Sequence, residues 1–437
     1  MGIESVVRTQ LPERDGDMCL QMADAFVQLA RHFGYNKWKP NASWESVYRI
    51  DSLLGADRQA AWYVRDLLLE QAWRFPDIFI GVLMDCDNAY GNSFWGPSGL
   101  CHRAPYAYPK KSYVGIAVAT RLLDRVVATR SIPTGDGCVY VQEYSRKDGR
   151  CVYALWTSRG TAEVRLEADA SRILECVDFY GRNLPPFSKG AALDVGEFVR
   201  YMVADGPAVA SATVGRRTYP DWQQPESAKL LAATDSAKGW CVGTDRNPTL
   251  EITTGPFFPY RTKGAYDLKE VNDAERGRCL ELTLTKPDYG LPTLMGEYAV
   301  VELEKPVPIA SGTHTLGAWV KGNSGWGQFY WIVEDIKGRR SYSCGKGADA
   351  DVFDYEGTVS ICYTGWNFLK MPLTVASPVR NLSTGGLSIL WRGDCTLKWP
   401  MKLVGFAFSA QNRPLFLTER RQCRQTIRIG GIYGMKD

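Results

Sequence analysis

Three carboxylates sit where short apolar runs give way to polar sequence: Glu4 after Gly2-Ile3, Asp51 closing WESVYRID, and Asp85 closing IFIGVLM. Carboxylates gathered at neighbouring strand ends can share one reaction, one donating a proton while another attacks or stabilises a developing cation. Beyond Asp85 come Asp87, Asn88, Tyr90 and Trp95, a mixture of hydrogen-bonding groups and flat rings suited to lining a subsite. The chain also holds 14 Trp and 22 Tyr. Such rings are ordinary core material, and they also stack on the apolar faces of sugars. Each carboxylate has a structural role open to it as well. Asp51, followed by Ser52, is a good helix N-cap. Asp85 and Asp87 suit loop stabilisation or a cation, and Glu4 lies among the first few residues.

The elements that would position these groups follow from periodicity. Met18, Met22, Ala25, Phe26, Leu29 and Phe33 share one helical face over Asp17 to Phe33, and Gly34 stands where a C-terminal cap would. A second helix is expected from Ala60, Val64, Leu67, Leu68, Ala72 and Phe75, stopped by Pro76. The nearly all-apolar run Ile78 to Met84 reads as a strand covered on both faces, and a last helix spans about Ser112 to Val127. Strand and helix thus alternate, as parallel βα units do. After Ser131, runs such as CVYVQEYS, CVYALWTS, AEVRLEA and RILECVDFYG are hairpin material, with EFVRYMVADGPAVAS as a final strand. Residues 216–238 are polar, with Pro220 and Pro225, and suit a linker. From Trp240 eight or so strands, RCLELTLTK to QTIRIGGIY, have the spacing of a jelly roll. The expected architecture is multidomain: a partial (β/α) barrel over 1–128, a small antiparallel β-sandwich over 129–215, the linker, and a jelly roll over 239–437.

Several functions are disfavoured. A net charge of +4 over 437 residues, with no basic stripe, gives no nucleic-acid footprint. No run of 18 apolar residues is present to span a membrane. The opening MGIESVVRTQ lacks the apolar centre of a secretory signal, so an extracellular or periplasmic location would require a signal further upstream. Val6 stands where a myristoylation pattern needs Ser or Thr. Twelve scattered Cys form no C-x-x-C pair, which argues against structural zinc and favours buried free thiols. Three separated His (His32, His102 and His314) argue against a Ser-His-Asp hydrolase.

Strand-Asp51, the helix with Gln59-Ala60-Ala61-Trp62-Tyr63, strand-Asp85 and then Tyr108-Pro109-Lys110-Lys111-Ser112-Tyr113 opening a helix resemble the last units of the retaining (β/α)8 glycoside hydrolases. The run YALWTSRGTAEVRL…VDFYGR…GPAVAS resembles the small β-sandwich that follows such barrels. LGAWVKGNSGWGQFYWIVEDIKGR with GWNFLKMPL resembles galactose-binding-like carbohydrate-binding modules. The resemblance implies polysaccharide or oligosaccharide as partner, with Asp51, Asp85 and Glu4 as catalytic candidates and Asp87, Asn88, Tyr90 and Trp95 near the sugar. A carboxylic acid would protonate the leaving oxygen while a carboxylate about 5–5.5 Å away attacks.

The chain departs from that family in two ways. Asp51 stands where the family uses Glu, and about three βα units are countable where a closed barrel has eight. A fragment, a divergent half-barrel, or a chain that pairs with a second polypeptide all fit, and hydrolysis by this chain alone is not expected. In the C-terminal module Trp319, Trp331 and Trp366 read as core. Trp326, in the turn GNSGWGQ, reads as a sugar-stacking ring or as packing on its own sheet. Asp335, Asp349 and Asp351 are oxygen donors of the kind calcium takes; no other cofactor is expected.

Overall fold

A computed structural model describes residues 2–3, 12–13, 27, 30–37, 41–43, 55–72, 78–80, 83–85, 99–103, 105–219, 223–242, 262–263, 266–284, 297–325, 327–338, 340–342, 361–373, 398–409 and 426–436. They fall into two compact units, one built mainly from residues up to Thr218 and the other from Tyr219 onward.

The first unit opens with strands β1 (Gly2–Ile3), β2 (Asn41–Ser43) and β3 (Ile78–Phe79), parallel and in chain order. A parallel pair cannot be joined by a tight turn, and helix α1 (Gly55–Ala72) lies in the crossover from β2 to β3. The helix expected to end at Phe33 does stop there: Gly34 takes φ 87, and Tyr35 N–H donates to Ala30 O at 2.8 Å, closing the last turn. The run Ile78 to Met84 departs from its expected burial, since Phe79, Leu83 and Met84 are 54, 62 and 45% exposed. Among the described residues the parallel sheet ends at β3, which is an edge strand. Helix α2 (Lys111–Leu122) stops short of the expected Val127. Arg125 adopts φ 54, the chain turns, and Val126 already belongs to the next strand.

That strand, β4 (Val126–Ser131), begins a sandwich with β5 (Val139–Arg146), β6 (Cys151–Thr157), β7 (Thr161–Ala168), β8 (Ile173–Val177), β9 (Ala192–Val195), β10 (Arg200–Ala204) and β11 (Val209–Thr218). One antiparallel sheet runs β4-β5-β6-β10-β8 and a second runs β11-β7-β9. Val139, Val141, Tyr153, Leu155 and Met202 of the first meet Val164, Leu166, Leu193 and Val195 of the second in one core. The opposite face of the larger sheet carries Tyr140, Tyr144, Trp156 and Tyr201, all buried. It is tied to α1, with Tyr144 Oη donating to Leu68 O at 2.7 Å and Thr129 Oγ1 to Ala72 O at 2.8 Å. Covered on both sides, β6 is buried at every position, which is why CVYALWT lacks the alternation of a half-exposed strand. EFVRYMVADGPAVAS is two strands, not one. Gly206 at φ 78 followed by Pro207 turns the chain out of β10 and into β11 of the other sheet.

The second unit contains β12 (Lys229–Ala232), β13 (Trp240–Val242), β14 (Thr262–Lys263), β15 (Tyr266–Asp273), β16 (Gly277–Leu284), β17 (Glu297–Pro308), β18 (Thr315–Asn323), β19 (Gln328–Glu334), β20 (Arg340–Tyr342), β21 (Thr364–Pro372), β22 (Lys402–Ser409) and β23 (Thr426–Met435). Two six-stranded sheets result: β15-β16-β23-β18-β21 with β12 on β23, and β13-β17-β22-β19-β20 with β14 on β17. The stretch 216–238 therefore holds part of a ladder at β12. Apolar side chains alternate inward. Leu280, Leu282, Leu316, Ala318, Val320, Ile427 and Ile429 come from the first sheet, and Tyr266 of β15 meets Phe408 of β22 edge-on at 6.1 Å. Trp331 is fully buried, as expected of core. Trp319 and Trp366 are not core. Ala318 and Val320 face inward, so Trp319 and its register partners emerge on the outer face of their sheet, where both Trp are half-buried.

Candidate functional site

Of the strand-end carboxylates, Asp85 is described, whereas Glu4 and Asp51 lie outside the described residues, as do Asp87, Asn88, Tyr90, Trp95 and Trp326. Asp85 follows β3 where the chain returns alongside Cys101, its N–H donating to Cys101 O at 3.0 Å. Its Oδ1 accepts from Gly99 N–H at 3.0 Å and pairs with the Lys110 ammonium. Burial pulls the Lys110 pKa down, and the bond to Asp85 works against that pull. A carboxylate so paired is occupied in holding Gly99 and Lys110. Lys110, at the N-cap of α2 within YPKKSY, thus secures the loop that precedes its own helix.

A second acidic group escaped sequence reading. Glu13 is buried; Arg65 Nε lies 2.6 Å from its Oε1, Arg65 Nη2 donates to Oε2 at 2.9 Å, and Trp156 Nε1 donates to Oε1 at 2.8 Å. Arg65 also donates to Glu197 O and Ser158 O, each at 3.3 Å. This network joins α1 to β6 and its following turn, and nothing in LPERDGD marks Glu13 as its anchor. Further along α1, Glu70 faces a small cleft lined by Tyr63, Asp66, Leu67, Ile78, Phe79 and Ile80. Loss of water pushes its pKa up to about 8.

The richest constellation lies on the outer face of the β15-β16-β23-β18-β21 sheet. Strand register sets one row across five strands: Lys269 opposite Glu281, Glu281 opposite Arg428, Arg428 opposite Lys321, and Lys321 opposite Trp366. At about 4.8 Å between strands the row runs about 19 Å. Asp273, at the end of β15, is buried beneath it. Its carboxylate accepts from Arg428 Nη1 at 2.7 Å, Lys321 Nζ at 2.8 Å, Trp366 Nε1 at 2.9 Å and the Glu275 N–H at 3.0 Å. Burial alone would raise the Asp273 pKa; these donors outweigh it and hold the carboxyl well below the usual range. Arg428 Nε donates to Glu281 Oε2 at 2.8 Å, and Lys269 Nζ lies 3.1 Å from Glu281 Oε1. Beside the row, Trp319 packs edge-on against Phe368 at 5.4 Å and donates Nε1 to Gln224 Oε1 at 2.5 Å. The Arg276 guanidinium lies 3.3 Å from the Trp319 ring centroid and 5.7 Å from that of Trp366. Two indoles are thus fixed in orientation, their N–H groups bonded and charged groups arrayed along one side. Sequence reading missed this face because it assigned both Trp to the core.

Asp335 spends its carboxylate on a turn, accepting from Lys337 N–H at 2.9 Å, while Asp349 and Asp351 lie outside the described residues. Among the described residues no three His, Cys, Asp or Glu side chains gather as a metal site would require. The seven described cysteines are free thiols, Cys241 alone of these being exposed.

No protein-family description and no curated protein matches the chain. Several solved structures align with parts of the chain. A family 39 glycoside hydrolase from the gut symbiont Bacteroides cellulosilyticus WH2 is 20% identical over 42% of this chain, with a TM-score of 0.34. The match spans 37% of that enzyme, so this chain matches little more than a third of its length. The family 11 carbohydrate-binding module of a cellulosomal cellulase of Clostridium thermocellum is 9% identical, covering 49% of this chain and 97% of the module, with a TM-score of 0.25. TmCBM61, solved with β-1,4-galactotriose, is 11% identical over 48% of this chain and 99% of its own, with a TM-score of 0.23.

Proposed function

We propose that this chain binds a polysaccharide or oligosaccharide through the outer face of the β15-β16-β23-β18-β21 sheet, and that the parallel strands and helices ahead of the small sandwich in its first unit are a remnant of a glycosidase-type barrel. The observation that carries the reading is the Trp319–Trp366 pair beside a row of charged side chains. Sugar rings have apolar faces and hydroxyl rims; a fixed aromatic surface takes the faces, and flanking charged groups take the rims. Binding is favoured over catalysis because the described strand-end carboxylate, Asp85, is engaged by Lys110. The test is isothermal titration of the whole chain against a glycan panel, with Trp319→Ala and Trp366→Ala alongside. Each substitution is expected to weaken binding at least about tenfold, a loss of about 1.4 kcal/mol. The absence of heat with every glycan, or unchanged affinity in both variants, overturns the reading.

A second reading has its own observation. The exposed Phe79, Leu83 and Met84 are the kind of uncovered apolar surface that a second polypeptide completing the barrel would bury. Light scattering that finds only monomer at micromolar concentration removes that reading.

A further inference from the structure

The cations on the binding face are not equivalent. Lys321 and Arg428 are committed to Asp273, Arg428 again to Glu281, and Lys269 to Glu281. Arg278, at the start of β16, pairs with Glu270 at 2.7 Å. Arg276 differs. It is half-buried, and among the described residues it makes neither a hydrogen bond nor an ion pair; ring stacking on Trp319 holds it in place. A guanidinium has a flat face and a fork of five N–H donors at its edge. Here the face is used by the indole and the fork is left over. Burial, the largest influence on this group, lowers its pKa, while Tyr433, Glu275 and Asp273 act in the opposite direction.

We infer that the ligand is an acidic polysaccharide, one whose sugar units carry a carboxylate, and that the Arg276 fork receives that carboxylate beside a ring stacked on the part of the Trp319–Trp366 surface that Arg276 leaves uncovered. This rests on the glycan-binding reading above and narrows its substrate class. An acid sugar joins an apolar ring face to a planar anion in one residue, and this face joins an aromatic surface to a planar cation whose donors are unengaged among the described residues. A neutral glycan would leave the fork facing solvent and gain nothing from it. Bidentate pairing is also directional: Lys, with a point charge and no fork, cannot replace it.

The experiment is titration of the whole chain with trigalacturonate and trimannuronate and with the carboxyl-reduced, neutral form of each. At least one acidic trisaccharide is expected to bind about tenfold or more tighter than its reduced form, with the preference shrinking as salt rises. Arg276→Gln is expected to bring the acid-to-neutral ratio near one, and Arg276→Lys to restore it only in part. Equal binding of acidic and reduced forms by the unaltered chain, or a ratio untouched by Arg276→Gln, overturns this inference and leaves glycan binding standing. Failure of all four trisaccharides, with failure of the wider panel, removes both.

Discussion

Replacing Glu70 with Gln is expected to make the protein more stable, by an amount that depends on pH. The carboxyl ordinarily titrates at 4.5, and in the cleft against Ile78–Ile80 loss of water raises it to about 8. The folded chain therefore keeps a proton that the unfolded chain has given up. Below pH 4.5 both states are protonated and the group costs the fold nothing. As pH rises the unfolded state is increasingly favoured, by about 1.4 kcal/mol per unit. The loss reaches about 3 kcal/mol at pH 7 and levels off near pH 8, where the folded carboxyl ionises too. The amide that Glu70→Gln introduces has the same shape without the titrating proton, so the variant lacks this slope. Thermal unfolding of both proteins between pH 4.5 and 8.5 reads the effect directly. The curves should meet near pH 4.5 and separate to a gain of several degrees at neutral pH. A difference that stays constant with pH, or a variant less stable than its parent at pH 8, would refute desolvation as the force acting on Glu70.

Two further substitutions test the packing of α1 and α2. Glu13→Ala strands the buried Arg65 guanidinium and orphans Trp156 Nε1, with a cost of about 3–5 kcal/mol read from the lowered unfolding temperature; a loss under about 1 kcal/mol would show that Glu197 takes over. Gly115→Val drives a side chain into Phe179 and Val64, whose atoms lie 2.2 and 2.7 Å from where a Cβ would stand. Overpacking of about 1–3 kcal/mol should outweigh any gain in helix propensity, lowering the urea midpoint.

The parts of this fold that were legible in the sequence are those governed by local rules. Gly34 ends its helix because it alone of its neighbours takes the left-handed backbone without strain, and the apolar spacing of α1 is plain. Face assignment was harder. In LGAWVKGN both parities carry apolar groups, so alternation alone does not say whether Trp319 or Val320 points inward; burial settles it, Ala318 and Val320 being fully buried and Trp319 only half-buried. CVYALWT gave a strand but not its double burial, which depends on α1 arriving from a separate part of the chain. The binding face was least visible of all. Asp273 and Arg428 stand 155 residues apart, and only the order of strands in the sheet makes them neighbours. The Asp85–Lys110 pair is likewise a product of the fold, spanning 25 residues and a loop.

The double covering of β6 bears on how such a chain can be cut or shuffled. A break near residue 128 follows the change in sequence pattern, yet it would strip the helical layer from Tyr140, Tyr144, Trp156 and Tyr201 and turn a wall of rings toward water. The small sandwich is thus no portable cassette. Evolution or an engineer moving it elsewhere must carry α1 and α2 along, or expect the severed piece to clump rather than fold.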